Sequence, residues 1–79
     1  MKTYLVIKQE NRPDGITNRT TEVRQSFASA MAQFYSWAST ASGTELFTSV
    51  ALSVIDNNGV IIENKLVPTA YVNKAEENV

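Results

Sequence analysis

The chain has 79 residues, 43% of them hydrophobic, with seven Lys or Arg against eight Asp or Glu and a formal net charge of −1. That length holds one domain and that hydrophobic fraction is too high for intrinsic disorder, while the complete absence of Cys and His removes disulfides, thiolate chemistry, the usual general base and the usual transition-metal ligands. A pI near 5.2 also denies the chain the basic surface that general nucleic-acid binding needs.

The N-terminal MKTYLVIKQE has an apolar run of four residues, Tyr4 to Ile7, too short for the roughly 7–15-residue core of a signal peptide. TYLVIKQ (3–9) is rich in β-branched and aromatic residues and reads as a strand. It is apolar on both sides, so either Leu5 and Ile7 or Tyr4 and Val6 turn to the core. NRPDGITN (11–18) carries a turn: Pro13 presets φ, Asp14 bonds the backbone and Gly15 accepts positive φ. RTTEVRQ (19–25) reads as a second strand, polar enough for a sheet edge. Residues 3–25 are therefore expected to form a β-hairpin.

Residues 26–44, SFASAMAQFYSWASTASGT, contain no charged side chain. Ser26 is a good N-cap. At 100° per residue, Phe27, Ala30, Met31, Phe34, Trp37, Ala38 and Ala41 share one arc, with Tyr35 and Trp37 at its borders. That spacing predicts an amphipathic helix. Its outer face is Ser, Thr, Gln and Ala, too polar for lipid, and Gly43 is expected to cap its end.

ELFTSVALSVID (45–56) reads as a long strand, and from 46 to 55 it would extend roughly 34 Å at about 3.4 Å per residue. That outreaches so small a domain and suggests a bend or pairing with another chain. DNNG (56–59) predicts a hairpin with a two-residue primed turn. VIIENKL (60–66) returns as a strand, and Pro68 ends it. The polar, acidic segment 69–79 is expected to fray.

The expected fold class is α+β: a small antiparallel sheet of two β-hairpins with one amphipathic helix on one face, in the order ββαββ, over residues 1–68. The runner-up, βαββ, treats 11–25 as mostly loop. The helix should bury Phe27, Met31, Phe34 and Ala38 against the sheet, with Val50, Leu52, Val54 and Ile62. A chain of this length buries only roughly 60% of its unfolded surface, and self-association is the one common reinforcement that this composition leaves.

Nothing in the sequence composes a catalytic, cofactor or metal site. Asp14 and Asp56 are turn residues, and Glu63 falls too close to Asp56 for a calcium-binding EF-hand loop. No GxGxxG or Walker A pattern occurs. The expected function is thus a small, non-enzymatic protein-interaction module in the cytoplasm, binding another protein or a second copy of itself, with no membrane, small-molecule or nucleic-acid partner. Tyr35, Trp37 and Phe47 are the candidate interface residues, since aromatics are enriched at interfaces. The alternative is a nucleic-acid-binding accessory factor that uses Arg12, Arg19 and Arg24. In architecture alone, with no motif behind it, the chain resembles the small accessory proteins of phages and other bacterial mobile elements, which implies binding to a host protein.

Overall fold

Five elements account for most of residues 2–71, the part of the chain that the computed structural model describes. Strand β1 (Tyr4–Asn11) and strand β2 (Thr17–Arg24) form the first hairpin, helix α1 (Phe27–Gly43) crosses over, and β3 (Ser49–Asp56) and β4 (Ile61–Pro68) form the second. The sheet is fully antiparallel in the order β2-β1-β3-β4. This is the expected ββαββ arrangement, and residues 17–24 are strand, not loop.

Both hairpin turns use the same device. Arg12 N–H donates to Ile16 O (2.9 Å) and Gly15 N–H to Arg12 O (3.1 Å); Asp56 N–H donates to Val60 O (3.0 Å) and Gly59 N–H to Asp56 O (3.0 Å). Gly15 and Gly59 have φ of +91° and +84°, and among the described residues no non-glycine residue has positive φ. Each connection is therefore a three-residue loop, an ordinary turn closed by a left-handed glycine. The two-residue primed turn expected at 56–59 is not used, because primed turns need positive φ at the central residues and Asn57 and Asn58 do not supply it. Asp56 stabilises its loop by accepting from Asn58 N–H and Val60 N–H, each at 2.9 Å.

The helix starts where its N-cap predicts: Ser26 Oγ accepts from Ser29 N–H at 3.1 Å. It ends differently. Gly43 is still helical, and Thr44 caps in an extended conformation with its N–H on Ala41 O. The helix lies over the central strands β1 and β3. Ala30 and Ala41 let the backbones approach closely, and Phe34 fills the space between them. Beneath lie Tyr4 and Val6 of β1 and Val50, Leu52 and Val54 of β3, with Val67 of β4. Tyr4 and Val6, rather than Leu5 and Ile7, face the core.

Three expectations change, two about burial and one about strand length. Phe27 is half-exposed and touches the core through an edge-on contact with the Tyr4 ring at 6.2 Å. Ile62 is not a core residue: the ladder slips between Val54↔Glu63 and Ile55↔Ile61, leaving Ile62 as the extra residue of a bulge. The third strand begins at Ser49, not near 45, so it is eight residues long and needs no second chain to complete it. The folded part also runs past Pro68. Thr69 is fully buried and donates its hydroxyl to Phe47 O, and Tyr71 N–H donates to Thr44 O at 3.3 Å. Residues 72–79, most of the expected frayed tail, lie outside the described residues.

Candidate functional site

Register and pleat together assign every strand residue to one of two faces. Alternate residues of each strand point to the same side, and directly paired residues share it. On the helix side stand the buried residues of the core. On the other side no element among the described residues covers the sheet. Its residues form four cross-strand rows, read in the order β2, β1, β3, β4: Val23–Leu5–Ile55–Ile61, then Thr21–Ile7–Ser53–Asn64, Arg19–Gln9–Ala51–Leu66, and Thr17–Asn11–Ser49–Pro68.

The first row is an aliphatic stripe that runs unbroken across the whole sheet. Val23 and Ile61 at its ends are 55% and 58% exposed, and Leu66 two rows away is 65% exposed. The opposite end is polar but uncharged apart from Arg19. There a chain of hydrogen bonds crosses three strands: Arg19 Nη2 donates to Gln9 Oε1 (2.6 Å), Gln9 Nε2 to Asn11 Oδ1 (2.9 Å) and Asn11 Nδ2 to Ser49 Oγ (3.0 Å). These bonds tie the polar side chains of the three strands to one another.

The charge distribution between the faces is inverted from the usual one. An antiparallel sheet covered on one side normally shows water a charged or strongly polar second side. Here Lys8, Glu10, Glu22, Arg24, Asp56, Glu63 and Lys65 all lie on the helix side, at the margins of the core, and Arg19 is the only ionic residue of the four strands on the open side. The helix-side charges are managed locally. Lys8 runs under Trp37 with its ammonium 4.8 Å from the ring centroid and 4.0 Å from Glu10. Arg24 donates to Gln33 Oε1 on the helix (2.7 Å) and lies 3.5 Å from Glu22.

The candidate interface residues are dispersed. Tyr35 is 62% exposed on the outside of the helix, edge-on to Phe34 at 5.5 Å. Trp37, about 200° further round the helix at 100° per residue, packs against the core, as does Phe47. Trp37 and Phe47 line one cavity of about 30 Å³ together with Lys8 and Val50, room for about one water molecule. The three arginines are also separated. Arg12 sits in the first turn, 3.8 Å from Asp14; Arg19 lies on the open face and Arg24 on the helix side. An odd spacing along one strand sends Arg19 and Arg24 to opposite sides of the sheet.

The residues that do form a continuous surface are Val23, Leu5, Ile55 and Ile61, with Ile7 and Leu66. The sequence carries a signal for them. Within β1, Lys8 and Glu10 share the parity of Val6, and within β4, Glu63 and Lys65 share the parity of Val67. The other parity is free of charge in both.

No family model, no curated protein and no solved structure matches this chain. Among the described residues, no helix is long and apolar enough to cross a membrane, and no group of three His, Cys, Asp or Glu is placed to hold a metal ion.

Proposed function

We propose that this chain is a small protein-interaction module that acts by binding, not catalysis, and that its working surface is the open face of the sheet. One observation carries the reading: the face that none of the described residues covers is the face with a single strand charge, Arg19. Charged residues are depleted from the centres of protein interfaces, and a flat aliphatic stripe facing water across four strands has no benefit to an isolated monomer. The aliphatic row gives affinity by leaving water. The Arg19–Gln9–Asn11–Ser49 ladder gives a polar border in which three of the side-chain donors are already bonded within the face. A chain without cysteine fits a reducing compartment, and the cytoplasm is the proposed location.

The test is the size of the chain in an extract of the cells that make it. The tagged wild type should migrate in a complex well above its own 8.7 kDa, and the Val23→Lys, Ile61→Lys double variant should migrate alone. Both positions are more than half exposed, so the folded monomer tolerates the two lysines. Wild type and variant migrating identically would overturn the reading.

A further inference from the structure

The geometry points to a second copy of this chain as the occupant of the open face, packed sheet on sheet about a two-fold axis parallel to the strands and midway between β1 and β3. This inference rests on the interaction-module reading above and names its partner.

Symmetry is the first argument. A two-fold contact must be self-complementary. Rotation about an axis along the strands lays β2 over the partner β4 and β1 over the partner β3. Val23 then meets the second copy of Ile61, and Leu5 meets the second copy of Ile55. The aliphatic row lands on itself, and each other row lands on its own copy, with Asn11 over Ser49, Gln9 over Ala51 and the Arg19 stem over Leu66 at the edge. A two-fold axis running across the strands would instead lay the aliphatic row on Thr17–Asn11–Ser49–Pro68.

Charge is the second argument. Arg19, the one ionic group of the strands on this face, sits on edge strand β2. In the proposed arrangement its symmetry mate stands over the far edge, three strand spacings or about 14 Å away. That exceeds the Debye length of about 8 Å at physiological salt, so the two guanidinium groups do not repel appreciably. Any charged residue near the β1–β3 seam would face its own copy, and none is there.

Area is the third. Four strands of eight residues present roughly 19 by 27 Å, about 500 Å² per copy. The pair therefore buries about 1,000 Å², the threshold at which a specific interface becomes credible. Two such sheets pack face to face about 10 Å apart with their strands aligned to within about 30°.

The experiment is light scattering on the purified chain across a concentration series, with cross-linking to fix the orientation. The wild type should have twice its 8.7 kDa mass at the upper end of the series, with little dependence on salt. Val23→Lys with Ile61→Lys should raise the dimer dissociation constant about ten-thousandfold, a factor of roughly ten for each of the four ammonium groups that the two copies would desolvate, while leaving circular dichroism unchanged. The chain has no native cysteine, so introduced thiols report alone. A Val23→Cys, Ile61→Cys variant should be joined into dimers by a short bismaleimide, and Val23→Cys alone should not, because the two copies of position 23 lie over opposite edges. A monomer at every concentration overturns the inference. So does a dimer unaffected by the lysines, or efficient joining through position 23 alone. If the purified chain is monomeric yet its complex in extract still depends on Val23 and Ile61, the second copy is excluded and the interaction-module reading stands; if both are lost, both fall.

Discussion

The two faces of this sheet are built from the same four strands, yet they follow different rules. On the helix side, valine, leucine and alanine are packed out of contact with water, and the charges stand at the margin, where Lys8 meets Trp37 and Arg24 meets Gln33. On the open side, aliphatic residues stand at the surface beside small hydroxyls and amides, and only Arg19 is ionised. The first face is complete within one chain. The second is nearly free of charge and has no covering layer among the described residues. The difference teaches that the two faces of a small sheet are told apart by the distribution of charge as well as by burial.

Equivalent substitutions on the two faces should therefore have unequal effects. Val54→Asp places a carboxylate at a fully buried position and should unfold the chain, a cost of more than about 4 kcal/mol, seen as loss of far-ultraviolet circular dichroism. Its neighbour Ser53→Asp faces the open side and should keep the folded spectrum while abolishing association. Leu52→Ala should cost about 2–5 kcal/mol in urea denaturation through the cavity it leaves. Leu66→Ala removes the same atoms from a 65% exposed position and should cost less than about 1 kcal/mol under monomeric conditions. Equal losses for the two leucines would break the comparison.

Smaller changes sharpen its limits. Thr69→Val deletes the hydroxyl that donates to Phe47 O and should lower stability by about 1–2 kcal/mol, showing that the covered side extends beyond the last strand. Lys8→Met removes the ammonium above Trp37 and should change stability by no more than about 0.5–1 kcal/mol. Trp37 is the only tryptophan, so its emission should shift in that variant even though the fold does not.

Much of this fold was legible in the sequence, and the failures have identifiable causes. The helix could be read from its 3.6-residue spacing and Ser26, since no other local structure satisfies that pattern. Both turns could be placed from Pro13-Asp14-Gly15 and Asn57-Asn58-Gly59, but their length could not, because it depends on which backbone groups bond across the loop. The core-facing side of β1 stayed open because Tyr4, Leu5, Val6 and Ile7 are all apolar; only the register with β3 decides it. Ile62 was assigned to the core on strict alternation, which a single bulge defeats. The candidate site was legible only in part. Aromatic content directs attention to Tyr35, Trp37 and Phe47, and nearness in sequence groups Arg12, Arg19 and Arg24. The open face is visible only when the parity of charged residues is compared among strands, and that comparison requires their register.

The pairing of β1 with β3 has a consequence for how the chain folds. These two strands form the middle of the sheet, yet where they meet at Asn11 and Ser49 they are separated by 38 residues. Neither hairpin is expected to persist alone, since an isolated two-stranded ribbon is marginal in water, and a helix with no ion pairs of its own draws its stability from the sheet beneath it. The loop between the halves must close before either half gains its core. Folding should then be a single cooperative docking event. A chain cut after α1 would keep neither a shortened sheet nor a free helix, and a nascent chain would gain nothing from its first hairpin until β3 had been made.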